Sequence, residues 1–183
     1  GQVPTTRGFD GSDVIVLFDG VRQTFNSGHD GRFFIDPFLL RRAEVVKGPT
    51  SALYGSGGLG GTLEFRTIEA ADFLGVGDGS AVQLGTGYST GNGEDRYQAL
   101  GASRFGNVAG LAAVSYRDAG NIDLGDGSTL QNNEKLTSGL VKGQYAFAPG
   151  NDATLSWQGY RGDATEPNNP QGVGSGGKVD KDL

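Results

Sequence analysis

One side chain in this chain can both bind a metal and exchange a proton near neutral pH. His29 is the only histidine, and cysteine is absent. Its neighbours Gly28, Asp30 and Gly31 describe a polar, glycine-containing loop in which an imidazole is not expected to be buried and satisfied by a core. An imidazole so placed can act as a base, ligate a metal, haem iron included, or stand as an ordinary exposed loop residue. Phe25, Phe33 and Phe34 lie close by and could cover a flat ring, although packing inside the domain is the commoner use of such residues. The base role has no companion. A Ser-His-Asp arrangement would have to be built on His29, and no G-x-S-x-G nucleophile elbow is read to present the serine. The lack of cysteine removes thiol catalysis, disulfides and cysteine-zinc sites together. No enzyme is expected.

The glycine-rich stretch Gly55-Ser56-Gly57-Gly58-Leu59-Gly60 has the G-x-G-x-x-G spacing of a dinucleotide fingerprint. That fingerprint must follow a strand and open a helix. Here it follows the helix-compatible Thr50 to Tyr54 and precedes the alternating Thr62-Leu63-Glu64-Phe65-Arg66, the reverse order. No Lys-Ser/Thr pair follows to make a phosphate loop. Asp118, Asp123, Asp126 and Glu134 lack the D-x-[DN]-x-[DN]-G spacing of a calcium loop and are read as solvated.

The elements that must position these residues fall into two regimes. The chain has 183 residues, 15 basic against 21 acidic, a net charge of −6 and 34 glycines with only 6 prolines. Without a G-X-Y period this is not collagen, and without a basic run it is not a nucleic-acid binder. Up to about Asp72 short apolar runs alternate with loops. Val14-Ile15-Val16-Leu17-Phe18, ended by Asp19-Gly20, reads as a buried strand. Asp36-Pro37 before Phe38-Leu39-Leu40-Arg41-Arg42 reads as a capped turn or two of helix. Glu44 to Lys47 reads as a strand, Thr50 to Tyr54 as one more helical turn with Gly55 free to take a left-handed position, and Thr62 to Arg66 as a strand. This is a small α+β region.

From Ala81 the pattern changes to period two in segments of about ten residues. Five strands are read: Ala81 to Tyr88, Arg96 to Phe105, Val108 to Arg117, Leu136 to Phe147 and Ala153 to Arg161. Each has one apolar face, and aromatics gather at strand ends. The connections alternate in length: Gly106-Asn107 and Ala148 to Asp152 are short, whereas Asp118 to Lys135 and the stretch after Arg161 are long and polar. An 18-residue apolar run is missing, so no transmembrane helix is expected. Short turns on one side, long loops on the other and tilted strands of 9 to 11 residues with an apolar face are the marks of an outer-membrane barrel. A soluble antiparallel barrel or sandwich shares the alternation, but would carry a richer second face than the Gly, Gln, Ser and Lys found here.

The run from Leu39 to Gly61, LLRRAEVVKGPTSALYGSGGLGG, resembles the plug-domain signature of TonB-dependent outer-membrane receptors. Asp19-Gly20-Val21-Arg22-Gln23 also resembles the plug. Within that family the chain is most similar to haem and haemoglobin receptors, through Asp19 to Gln23 followed by Ser27-Gly28-His29, through Phe34-Ile35-Asp36-Pro37, and through Tyr160 with Asp163 to Gln171. The resemblance covers nearly the whole chain. It implies an α+β plug domain over residues 1–72, its C-terminal part, followed over 73–183 by the first five antiparallel transmembrane β-barrel strands, part of a 22-stranded barrel.

It further implies a receptor in the outer membrane of a Gram-negative bacterium, facing outer-membrane lipid, that takes up haem, free or from a haemoprotein, into the periplasm. TonB would energise transport through a site outside this chain. Haem would be the transported ligand, with no catalytic cofactor. His29 would be the axial ligand offered by the apical loop of the plug. A second axial histidine is expected in a later outer loop beyond Leu183. Arg41, Arg42, Glu44 and Arg66 are candidates for contacts between plug and barrel wall, with solvated surface the even alternative. Gly1-Gln2-Val3 shows neither Met nor a signal sequence, so the chain is read as a piece of a longer protein or a mature chain. Five strands would leave an open edge, and the chain is expected to be unstable alone. The rival expectations are a ferric-siderophore or other nutrient receptor, and a soluble or surface β-rich adhesion or binding module.

Overall fold

The computed structural model describes residues 5–9, 13–23, 36–77, 79–166 and 177–182. His29 and the phenylalanines beside it lie outside the described residues. The chain divides into two compact units, Gly1–Ile68 and Glu69–Leu183.

The first unit is a four-stranded mixed sheet of order β2-β1-β4-β3. The strands are β1 (Val14–Phe18), β2 (Val21–Gln23), β3 (Leu40–Lys47) and β4 (Gly61–Thr67). β1 is the strand read from its continuous β-branched run: Val14, Ile15, Val16 and Leu17 are all buried, because it is flanked by β2 on one side and by parallel β4 on the other. Burying such side chains stabilises by about 1.5–3 kcal/mol each. Asp19 and Gly20 turn β1 into β2 at φ 47° and 80°, the two positive values that a tight primed hairpin turn requires. Asp19 does more than turn the chain. Its carboxylate accepts from the Thr67 amide at 2.8 Å and from the Thr67 hydroxyl at 2.6 Å, tying the turn to the last residue of β4.

The helix expected over Phe38 to Arg42 is corrected. Asp36 does cap, accepting from the Phe38 amide at 2.9 Å, but only Pro37–Leu39 is helical and in a single 3-10 turn. Leu40 already takes extended dihedrals and starts β3. Leu39 is fully buried, and its carbonyl accepts from the Ile68 amide at 3.0 Å, while the β4 backbone supplies a ladder to Leu40–Lys47. Tertiary pairing thus overrides a weak local helix preference, and Arg41 and Arg42 lie on a strand. The other short helix is present as α1 (Ser51–Tyr54). Gly55 ends it at φ 90° with ψ −169°, a glycine conformation that is extended in ψ rather than left-handed helical.

The second unit is an antiparallel meander in which β5 (Gly79–Ser89), β6 (Glu94–Phe105), β7 (Val108–Ala119), β10 (Asn133–Ala148), β11 (Asn151–Glu166) and β12 (Gly177–Asp182) pair in succession. The five expected strands are present and longer than their apolar patterns. β12, which pairs with the far end of β11, adds a sixth that the polar composition of Gly177–Asp182 concealed. Gly106 at φ 57° makes the two-residue turn between β6 and β7. Pro149 and Gly150, the latter at φ 74°, make the turn between β10 and β11, a Pro-Gly pair of type II character. The long connection between β7 and β10 is not featureless. It carries a hairpin of β8 (Ile122–Asp123) and β9 (Thr129–Leu130), closed by the Leu124 amide on the Ser128 carbonyl at 2.8 Å.

Candidate functional site

Strand register sorts the side chains of the long sheet onto two faces, one exposed and apolar, the other buried and mixed. On one face the directly opposed residues of β5, β6, β7 and β10 read Thr86, Tyr97, Tyr116, Thr137 in one row, and Leu84, Ala99, Val114, Gly139 in the next. Val82, Gly101, Ala112 and Val141 follow, with Trp157 of β11 opposite Val141. At the short-turn end Phe105, Val108 and Tyr145 make the last of these rows. This face is apolar, yet its large side chains are exposed: Leu84 77%, Phe105 83%, Leu155 81% and Trp157 63%. Tyr97 and Tyr116 stack with ring centroids 6.5 Å apart. From Tyr97 to Phe105 is eight residues, about 26 Å along a strand. At the strand tilt of about 40° usual in such barrels this spans roughly 20 Å along the membrane normal, and an exposed apolar band of that order, bounded by aromatic rows, fits the lipid-facing surface of a membrane barrel, whose band is ~25 Å tall.

The opposite face is mixed in character and largely buried, with leucine and alanine among its polar side chains. Its rows contain Gln98, Ser115, Ser138 and Tyr160, then Leu100, Ala113, Leu140 and Gln158, then Ala102, Leu111, Lys142 and Ser156. Ser115, Ser138 and Lys142 are buried. The hydroxyls of Ser115 and Ser138 have no hydrogen-bond partner among the described residues. At the long-loop end Arg96 and Arg117 are directly opposed. Arg96 donates through Nε to Glu94 Oε1 at 3.1 Å and also through Nη2, and Arg117 Nη2 lies 3.4 Å from Glu134 Oε2. On the apolar face at the same end Lys135 Nζ lies 2.9 Å from Asp118 Oδ2. In the β8–β9 loop the Ser128 hydroxyl and amide donate to Asp126 Oδ1 at 2.6 and 2.9 Å. The Ser128 hydroxyl first, and its amide second, hold the Asp126 carboxyl below the ordinary aspartate range.

In the first unit three of the four charged candidates come together. Arg42 is opposite Arg66, and Glu44 is opposite Glu64 across β3–β4. The like-charged rows are offset by pairs along each strand: Arg42 Nε to Glu44 Oε1 at 3.3 Å and Arg66 Nη2 to Glu64 Oε1 at 2.6 Å. Glu64 completes this quartet, and its place beside Arg66 at i−2 on a strand was the signal for it. Arg41 is the extra residue where the register shifts between Leu40 and Arg42, and stands outside the quartet.

The glycine stretch is accounted for by backbone geometry. A Cβ on Gly58, at φ 74°, would lie 2.6 Å from Thr50 Oγ1 and 2.8 Å from Ile15 Cδ1; one on Gly61, at φ 128°, would lie 2.3 Å from the Val46 carbonyl oxygen. Thr50 fastens the loop, its amide donating to the Gly58 carbonyl at 3.0 Å and its hydroxyl lying 2.8 Å from Thr62 Oγ1. The stretch runs from α1 into β4, so its glycines serve close packing rather than a pyrophosphate. The expectation of no G-x-S-x-G spacing is corrected by Gly87-Tyr88-Ser89-Thr90-Gly91. That stretch leaves β5 into the turn to β6, not into a helix, so Ser89 is not on a nucleophile elbow.

Residues 1–62 match the family model of the TonB-dependent receptor plug domain. The chain is 38% identical over 174 residues, 93% of its length, to a hemin receptor of Yersinia enterocolitica. It spans 25% of that relative's length. Among solved structures it resembles the FrpB iron transporter of Neisseria meningitidis, with 26% identity, a TM-score of 0.74 and coverage of 86% of this chain and 25% of that one. It also resembles the hemophore receptor HasR of Serratia marcescens, solved as a double mutant with its hemophore HasA and heme. There the identity is 26%, the TM-score 0.71 and the coverage 86% of this chain and 25% of that one.

Proposed function

We propose, from the premise that this chain belongs to the TonB-dependent receptors, that it is the plug and first barrel strands of an outer-membrane receptor for haem. The observation that carries the cargo is the 38% identity to a hemin receptor across 93% of the chain. The observation that supports the membrane setting is the exposed apolar face between two aromatic rows. The receptor would take haem, free or from a haemoprotein, across the outer membrane of a Gram-negative cell into the periplasm. TonB would supply the energy through a site elsewhere in the full-length protein. The chemistry is ligand exchange at iron, with no bond of the porphyrin made or broken.

His29 is assigned the axial ligand role: a neutral imidazole would donate its lone pair to haem iron, and Gly28 and Gly31, close to it in sequence, add no side chain to the loop. Arg41, Arg42, Glu44 and Arg66 are assigned to the surface through which plug and wall interact. Charges enclosed in a barrel need partners, and the quartet of Arg42, Glu44, Glu64 and Arg66 brings its own.

The test is a haem titration of the full-length receptor in detergent, wild type beside His29→Ala, followed at the Soret band. A ligated-haem spectrum in the wild type that the variant loses or shifts is the expected result. Absence of binding in the wild type would overturn haem as cargo in favour of an iron chelate. Identical spectra would return His29 to an ordinary loop residue.

A further inference from the structure

Two arginines directly opposed on neighbouring strands repel, and such pairs cost stability unless something holds them. Arg96 and Arg117 are so opposed, on the face away from the exposed apolar band, at the long-loop end of the sheet. Glu94 holds them: its side chain is only 10% exposed, it accepts from Arg96, and it is electrostatically coupled to Arg117. Glu134 is a looser partner, 3.4 Å from Arg117 with 22% of its side chain exposed. One row beneath, the hydroxyls of Ser115 and Ser138 are buried without a partner among the described residues. Buried hydroxyls normally have a hydrogen-bond partner in protein or ordered water, so two without one leave hydrogen-bonding capacity beside the arginines. Planar guanidinium groups held side by side are suited to carboxylates, which they grip in two-point contacts that an ammonium does not make.

We propose that Arg96 and Arg117 form a clamp for the carboxylates of the transported ligand, the two propionates of haem, just inside the outer mouth of the barrel. The inference rests on the haem reading above. Glu94, one row nearer the loops, orients the guanidinium groups from above and lets them sit together. Glu134, at its long contact distance, is the carboxylate that a ligand propionate displaces. The clamp recognises the acid groups and leaves the iron to other ligands, so its signature is a preference for free propionates over esters.

The experiment compares ferric haem with its dimethyl ester, titrated into the full-length receptor in detergent, for wild type, Arg96→Gln/Arg117→Gln and Lys135→Gln. Lys135 is at the same end but on the apolar face, paired with Asp118. The wild type is expected to bind the diacid at least about tenfold more tightly than the ester, as charge-assisted hydrogen bonds require. The double arginine variant should lose that preference while keeping a ligated Soret band, and Lys135→Gln should retain it. Equal wild-type affinity for acid and ester overturns the clamp while leaving haem as cargo, and so does an unchanged preference in a folded double variant. Binding of neither porphyrin by the wild type overturns the cargo reading itself, and the clamp with it. If the double variant fails to insert, judged by the loss of heat-modifiable migration, the acid-ester comparison on the unaltered protein decides.

Discussion

At the scale of single residues, Asp19 and Gly58 do work that neighbouring positions could not. Asp19 sits at φ 47°, a region costly for a non-glycine residue, and offsets that strain with two hydrogen bonds from Thr67. Asp19→Ala would keep the strained backbone and lose both bonds, and is expected to destabilise the first unit by about 2–4 kcal/mol. The measurement is resistance of the β1–β4 region to limited proteolysis in the full-length protein; unchanged cleavage would show the tie to be dispensable. Gly58→Ala should cost at least as much, because the added methyl meets both Thr50 and Ile15. Gly125→Ala, where a Cβ meets nothing within 4 Å, should behave as wild type. By contrast the Arg42–Glu44 pair is about half exposed on both sides and should show a coupling below about 1 kcal/mol in a double-mutant cycle.

At the scale of elements, the two faces of each long strand and the β8–β9 loop make separate claims. Ala112 lies midway between the aromatic rows on the apolar face, so Ala112→Arg places a charge at mid-membrane depth. It is expected to cost about 2–4 kcal/mol in folding into lipid vesicles, while Leu124→Arg in the outer loop, already 43% exposed, should be neutral. Equal behaviour of the two would remove the assignment of this face to lipid. The loop titrates through Asp126. Its carboxyl is held below the ordinary value of 3.8, so the charged form is favoured in the folded loop. The contribution is fully present above the ordinary value and is lost as pH falls through the depressed one. Amide exchange at Ser128 should therefore quicken only in acid below the ordinary aspartate range, and Asp126→Asn should remove that dependence.

At the scale of the whole molecule, charge and open edges are distributed unevenly. The first unit carries seven cationic and seven anionic residues and the second eight against fourteen, so the whole net charge of −6 belongs to the second. Its six-stranded sheet leaves the outer edges of β5 and β12 without a partner among the described residues. A membrane-spanning sheet tolerates no open edge. The 183-residue chain made alone is expected to fail to insert into vesicles and to aggregate, whereas the full-length receptor inserts. A stable, heat-modifiable inserted form of the short chain would mean that the sheet closes by another route.

The amino-acid sequence by itself determined the alternation that makes one apolar face per strand, the short and long connections, the buried β1 and the plug signature. Each is a local pattern of residue types, and period two or a Gly-Asn turn needs no distant partner to be read. Only the tertiary structure decided that Leu40 to Arg42 are strand, since the β4 ladder and the burial of Leu39 outweigh a one-turn helix preference that Asp36 and Pro37 announce. It also decided the pairing of β12, whose polar residues carry no apolar signal. The same holds for the meeting of Arg96 with Arg117 and of Arg42 with Arg66. Register brings such residues together across strands, and register is fixed by which side chains the whole sheet can bury and by how its turns close, not by the residues that end up opposite each other.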